Sequence, residues 1–374
     1  MLGLMGLFSL LVAGSTVGSL MMDDTETEIE REDDVADPEQ TDAANLLASV
    51  LDGTPLAGGA GDDLLQGDLA DDLINGGAGD DLIDGGDGAD QIWGGHGDDG
   101  LLGGDGFDEL IGENGNDLLA GETGADGLFG QNGDDVLSGG HGDDRLVGGA
   151  GDDVLAGDAG NDSLQGVAGD DLMIGGAGHD TLMGGTGDDW LVGGDLVQEG
   201  PDLAEEIADQ IETVLDAALD PVLGVVAGVS PDLLRAEHET EEEQDEDALP
   251  ELVDDDVVDH LNAGSGDDVL IGGHADTLHG GQGADTFMLD IRQSGPPAQV
   301  MDFSQDDGLV LIHDDDGPPA EVTVQVSTDN PNMFEITADG DLVANVIAPD
   351  GLSAADVELL AYAQVQQLLA AQVG

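Results

Sequence analysis

The residues best suited to do chemistry are aspartates repeated at intervals of nine. Fifteen of them, Asp63, Asp72, Asp81, Asp90, Asp99, Asp108, Asp117, Asp126, Asp135, Asp144, Asp153, Asp162, Asp171, Asp180 and Asp189, follow one another without a slip, and Asp268, Asp276 and Asp285 take up the theme further on. A row of carboxylates supplies hard oxygen donors. It suits an ion such as calcium, which takes ~6 to 8 oxygens from carboxylates and main-chain carbonyls, and it needs neither imidazole nor thiolate. The chain has no cysteine, which excludes disulfides, thiolate zinc sites and thiol catalysis. The sequence contains no His-Glu-x-x-His, Gly-x-Ser-x-Gly or phosphate-loop pattern. Its eight histidines are scattered, and among 86 acidic side chains any carboxylate pair put forward for glycoside chemistry would be chance.

The elements that must position these aspartates are nine-residue units, fifteen in succession from Gly58 to Val192. Position one is always glycine, and position four is glycine in 14 units, Ala70 being the exception. Position six is always aspartate. Position eight is always a large aliphatic side chain, Leu65, Ile74, Ile83 and Ile92 first and then leucine except for Met173. Position two is looser, with Asp68, Glu113, Glu122, Gln131, Asp158 and Val167 where the other units have glycine. Glycines at one, two and four permit left-handed backbone, so the first six residues curl into a loop. The last three place one aliphatic chain inward between two outward neighbours, as a short strand does. Such a strand is unstable alone. Stacked as a solenoid, the units bury their position-eight side chains in one narrow core.

Charge sets the condition for that stack. Against 86 acidic side chains there are 4 basic ones, a net −82, so nucleic acid and anionic membrane surfaces are excluded as partners. Glycine fills 63 of 374 positions and aromatics only 2%, which argues against a conventional globular core. The fifteen units hold 32 acidic side chains and one arginine, a net −31. Stacked at the strand spacing of ~4.8 Å, like charges repel by roughly 1 kcal/mol per pair even in water. The stack therefore calls for cations. A role for position six in turn formation alone would also admit asparagine and serine, but all fifteen residues are aspartate.

The unit Gly76-Gly77-Ala78-Gly79-Asp80-Asp81-Leu82-Ile83-Asp84 resembles, at every fixed position, the calcium-binding nonapeptide repeat of the repeats-in-toxin (RTX) proteins. The resemblance implies an all-β fold, a parallel β-roll (β-solenoid) in which two units complete one turn and calcium lies between loop i and loop i+2. One ligand column would then be Asp63, Asp81, Asp99, Asp117, Asp135, Asp153, Asp171 and Asp189, and the other Asp72, Asp90, Asp108, Asp126, Asp144, Asp162 and Asp180. These columns imply about 13 calcium ions in the main roll, with about one more in the second block. The resemblance also implies secretion, through an uncleaved C-terminal signal read by type I secretion machinery.

The remainder of the chain divides by composition. Residues 1–57 comprise an apolar segment and an acidic linker. Residues 1–22 carry no charge and are long enough for the ~20 residues that span a bilayer, so they read as an anchor or a signal, with an apolar tail or misplaced start as the alternative. The roll occupies 58–194. Residues 195–262 form an insert, with an amphipathic helix expected through Leu203, Ile207, Ile211, Val214, Leu215 and Leu219 and an acidic run from Glu237 to Asp247. The repeat returns in 263–288 as Ala263 to Ile271, a unit shortened by one residue from Gly272 to His279, and Gly280 to Met288. The shortening puts Ala275 before Asp276, leaving Asp268 and Asp285 as the better pair. Residues 289–374 read as a β cap with strands over 299–303, 309–313, 321–326, 334–338 and 342–347, then a helix from Ser353 to Gln372 with Ser353 as its N-cap.

Three function classes fit these residues. The first is a secreted calcium-binding repeat protein without catalysis. The second is a structural or adhesive protein of the cell surface using the same roll, anchored by the apolar N-terminus, and the third an enzyme whose site follows no known pattern. An ice-binding face would need a threonine row, but the main run has only Thr123, Thr181 and Thr186.

Overall fold

The computed structural model describes residues 47–49, 55–197, 251–253, 258–292, 295–313, 320–328, 330–349 and 351–373. The apolar segment 1–22, the expected insert helix and the acidic run after it lie outside the described residues.

Outside the excursion, consecutive short strands from Leu47–Ser49 to Gly308–His313 alternate between two sheets, one of 13 strands and one of 14, parallel throughout except where the 14-stranded sheet ends in the antiparallel run of Asp341–Ile347, Met333–Ala338 and Val322–Val326. Strand Leu82–Gly88 pairs in register with Gly100–Gly106, setting Ile83 against Leu101, while Gln91–His96 pairs with Glu109–Asn114 in the other sheet, setting Ile92 against Leu110. Each strand thus meets the one eighteen residues on, and two nonapeptides make one coil. This is the parallel β-roll that the resemblance implied. Position-eight side chains from Leu65 to Leu191 all face the space between the sheets, with exposures of 0 or 1%. A β-branched or leucine side chain every nine residues is enough to build this core, because neighbouring coils supply the packing that no single strand could.

The two outer surfaces differ. Position seven in the 13-stranded sheet is Leu64, Leu82, Gly100, Leu118, Val136, Val154, Leu172 and Trp190, a row without a polar side chain. In the 14-stranded sheet the same position holds Leu73, Gln91, Glu109, Gly127, Arg145, Ser163 and Thr181, a mostly polar row. Arg145, the cation of the main run, lies over the Phe129 ring at 5.0 Å.

The roll extends beyond its glycine-marked limits at both ends. Leu47–Ser49 pairs with Leu64–Gln66, and Leu56–Ala60 with Leu73–Ala78, so strand pairing starts before Gly58. Register is also carried across the insert: Thr181–Thr186 pairs with His260–Ser265, and Trp190–Val192 with Val269–Gly272. The second block therefore starts in the sheet at His260, three residues ahead of the boundary read at 263. Between the two, Asp195–Val197 and Glu251–Val253 pair antiparallel and close the neck of the excursion.

At the C-terminal end the expected strands are present, with one difference. The segment Val357–Ala361 is a strand pairing in parallel with Gly308–His313, and the helix runs only over Tyr362–Val373. The open edge of Gly308–His313 outweighs helical periodicity here: pairing satisfies that edge, and Val357 and Leu359 reach the main core from the new strand. Ser353 makes a turn in place of a helix cap, its N–H and Oγ–H both donating to the Asp356 carboxylate at 2.8 and 2.6 Å. The helix then buries Val365 completely against Val192, Ile271, Met288, Val310 and Ile312 on the outer surface of the 13-stranded sheet. Among the described residues no helix is long and apolar enough to cross a membrane.

Candidate metal centre

Each position-six aspartate stands where the curled loop enters its strand, and the coil spacing brings the aspartates into two lines. The first runs from Asp63 to Asp189 in steps of eighteen. Within it the N–H of Asp81 donates to Oδ1 of Asp99, that of Asp99 to Asp117 and that of Asp117 to Asp135, each at 2.8 Å. The second runs from Asp72 to Asp180, with Asp90 donating to Asp108, Asp108 to Asp126 and Asp126 to Asp144 at 2.7 Å. Both columns expected from the sequence are present.

Oδ1 of each carboxylate after the first in its column is therefore used to hold the preceding coil. The other, Oδ2, is buried without a hydrogen-bond partner in Asp81, Asp99, Asp117, Asp135, Asp153, Asp171 and Asp189 of the first column and in Asp90, Asp108, Asp126, Asp144 and Asp162 of the second. All twelve of these side chains are at most 4% exposed. A buried acceptor left unmade is costly, and a repeated one identifies a missing partner. Among the described residues no three His, Cys, Asp or Glu side chains converge on one point. An ion seated here would take most of its ligands from main-chain carbonyls, which suits calcium and not zinc. The donor set fits calcium.

The glycines are explained by the same loops. A Cβ on Gly148 would fall 2.2 Å from Oδ2 of Asp153 in its own unit, and one on Gly151 would fall 1.9 Å from the carbonyl oxygen of Gly133 in the coil before. Position one clears the aspartate, and position four, at φ +139°, clears the stacked backbone.

In the comparison with protein families, the RTX calcium-binding nonapeptide repeat, in segments of four copies, matches without a break from 56 to 195 and again over 255–287. Over these residues the chain is built of RTX calcium-binding nonapeptide repeats. No curated protein matches it.

The RTX roll extends each column past the limits set by glycine. In the first, Asp189 donates to Asp268 at 2.8 Å, Asp268 to Asp285 at 3.2 Å and Asp285 to Asp307 at 3.1 Å. In the second, Asp180 donates to Asp259 at 2.9 Å and Asp259 to Asp276 at 3.0 Å. Asp276, in the shortened unit, keeps its place in the column, although its Oδ2 accepts from Gly273 N–H at 2.6 Å and Ala275 is forced to φ +73°. Asp72, first in its column, accepts from Asp68 N–H through Oδ2 at 2.8 Å.

Asp259 and Asp307 are column members that the glycine pattern does not reveal. Asp259 had a legible signal: it stands nine residues before Asp268, as Leu261 stands nine before Leu270. Asp307 had none, lying beyond the last glycine repeat.

Position five forms a second line on the outside of the first-column loops. Here the donation runs the opposite way, from Asp152 N–H to Oδ1 of Asp134 at 3.0 Å and from Asp170 N–H to Oδ1 of Asp152 at 2.9 Å. These carboxylates are more exposed, and the line tolerates Asn116.

Burial in the middle of the stack pushes carboxyls such as Asp81, Asp117 and Asp153 upward, and neighbouring carboxylates add to it against the lowering effect of the backbone hydrogen bond. Asp153 and Asp162 are pushed up to about 8, Asp81, Asp117 and Asp126 to about 7, and Asp99 and Asp135 to about 6. With no cation present, the folded roll favours protonated aspartates.

Proposed function

We propose that this RTX-repeat protein is a secreted calcium binder that folds when calcium fills the two aspartate columns. The ligands are carboxylate oxygens of the position-six aspartates, from Asp63 to Asp189 and on to Asp268, Asp276 and Asp285, together with main-chain carbonyls of the loops. The reading places about 13 ions in the main roll, one between each pair of successive loops in a column. The observation that carries it is the repeated, buried and unpartnered Oδ2 in both columns.

Calcium-poor cytosol would leave the chain expanded by its own charge, and the medium outside would supply the attraction that closes it. Export by type I machinery before folding is part of this reading. The roll itself is given a binding and folding role and no catalytic step.

Circular dichroism during calcium titration of chelator-treated protein tests it. The expected result is a cooperative gain of β-structure at roughly 10⁻⁴ to 10⁻³ M, the range of extracellular modules. Magnesium is expected to fail, because it holds its waters and demands rigid octahedral geometry. A chain already folded in excess chelator overturns the proposal.

A further inference from the structure

The excursion between the two repeat blocks leaves and re-enters the roll inside a single nonapeptide. Gly193 fills position one, since a Cβ there would lie 2.7 Å from Oδ2 of Asp259, as position-one glycines elsewhere meet the aspartate of their own unit. Its N–H donates to the Ile271 carbonyl at 3.0 Å, as the Gly175 N–H does to Val192 at 2.8 Å. Asp259, His260, Leu261 and Asn262 then complete positions six to nine of the same unit. Column partners on either side are 79 residues apart where they are elsewhere 18, an excess of 61. One calcium loop is thus assembled from two stretches of chain that are distant in sequence.

Both columns cross this break. On one edge Asp180 donates to Asp259 at 2.9 Å. On the other Asp189 donates to Asp268 at 2.8 Å, and the Oδ2 atoms of Asp189 and Asp268, in side chains 0 and 1% exposed, are buried without a partner. No covalent link other than the excursion itself joins the two blocks, because the chain has no cysteine.

We propose that two calcium sites bridge the break, one at Asp189–Asp268 and one at Asp180–Asp259, and act as a clasp that draws the ends of the excursion together. Filled, they fuse the two blocks into one roll and fix the base of the 61-residue excursion at a single point on its edge. Emptied, they let the second block part from the first. The clasp makes presentation of the insert depend on calcium. It rests on the calcium reading of the roll given above.

The cysteine-free chain allows unique labelling. Thr181 and His260 are exposed partners across the break, and Gln91 and Glu109 are exposed partners within the main run. Spin labels at Thr181→Cys and His260→Cys, and in a second protein at Gln91→Cys and Glu109→Cys, report the two separations during calcium titration of the full chain. Both pairs are expected to close on calcium addition. Adding Asp259→Asn with Asp268→Asn should raise the midpoint of the pair across the break at least about fivefold and leave the main-run pair within about twofold of its own midpoint.

A pair across the break that closes in chelator, or at the same midpoint with both aspartates replaced, overturns the clasp while the main-run pair still responds. A main-run pair closed in chelator overturns the calcium reading and the clasp with it. Equal displacement of both midpoints by the double substitution also overturns the clasp, since the two aspartates would then serve the whole roll and not the break.

Discussion

The main-chain N–H of Asp135 donates to Oδ1 of Asp153, eighteen residues on, at 2.8 Å, and Oδ2 of that same carboxylate is buried with no partner. One side chain thus fastens a neighbouring coil with one oxygen and offers the other to an ion. Asp152, adjacent in sequence, is exposed, and its carboxylate accepts from the Asp170 N–H at 2.9 Å. Asp153→Ala removes a ligand and orphans the buried Asp135 N–H, so it should cost about 2 to 4 kcal/mol in calcium. Asp152→Ala loses one exposed hydrogen bond and should cost no more than about 1 kcal/mol. Thermal unfolding of both variants at fixed calcium measures the difference, and equal losses would show that the carboxylates act only as diffuse charge.

Acid should substitute in part for calcium. In the middle of the columns Asp81, Asp99, Asp117, Asp126, Asp135, Asp153 and Asp162 have folded-state values raised above the unfolded one of 3.8, reaching about 6 in Asp99 and about 8 in Asp153. A raised carboxyl binds its proton more tightly in the folded state, so its contribution is fully present below about pH 4 and is lost as pH rises through about 6 to 8. In chelator the chain should therefore gain β-structure on acidification from pH 8 to pH 4. Calcium, which displaces those protons, should bind more tightly as pH rises over the same interval. Circular dichroism in chelator at the two pH values checks the first expectation and calcium midpoints the second.

Val167 occupies a loop position usually held by glycine and carries φ +95° on a β-branched residue. It is 37% exposed, so its side chain adds little to the core. Relief of ~1 to 2 kcal/mol of left-handed strain, less ~0.5 to 1 kcal/mol of added unfolded-chain freedom, leaves Val167→Gly about 1 kcal/mol more stable. Its calcium midpoint should fall slightly. A destabilised variant would mean that the loop does not hold this geometry in solution.

The end of the roll is sealed by a residue that binds nothing. Val365, on the terminal helix, is fully buried against Val192, Ile271, Met288 and Ile312. Val365→Asp puts a charge into that contact and should cost about 3 kcal/mol, with a raised calcium midpoint for the second block. An unchanged melting temperature would show that the helix contributes nothing to the stability of the cap.

Most of the roll was legible because its signals are local and repeated. A glycine that must clear its own aspartate, as Gly148 clears Asp153, fixes the spacing, and fifteen copies fix the register. The split unit at Gly193 and Asp259 was hidden because its two halves lie apart in sequence and the glycine of position four is missing. The strand Val357–Ala361 was hidden for another reason: its apolar spacing also suits a helix, and only the unpaired edge of Gly308–His313 decides between the two. The line of Asp134, Asp152 and Asp170 on the outside of the loops was legible in residue type, but its hydrogen bonds depend on a coil-to-coil distance that no single unit reveals.

The unequal outer surfaces of the two sheets set the step in which this molecule can change length. Removing or duplicating nine residues would rotate every later strand onto the opposite sheet, bringing side chains such as Leu172 and Trp190 to the surface that carries Gln91 and Glu109. Removing or duplicating eighteen leaves every later residue facing as before. Two nonapeptides, one from each edge, are therefore the quantum by which the roll lengthens or shortens, and each such step adds or deletes one aspartate in each column together.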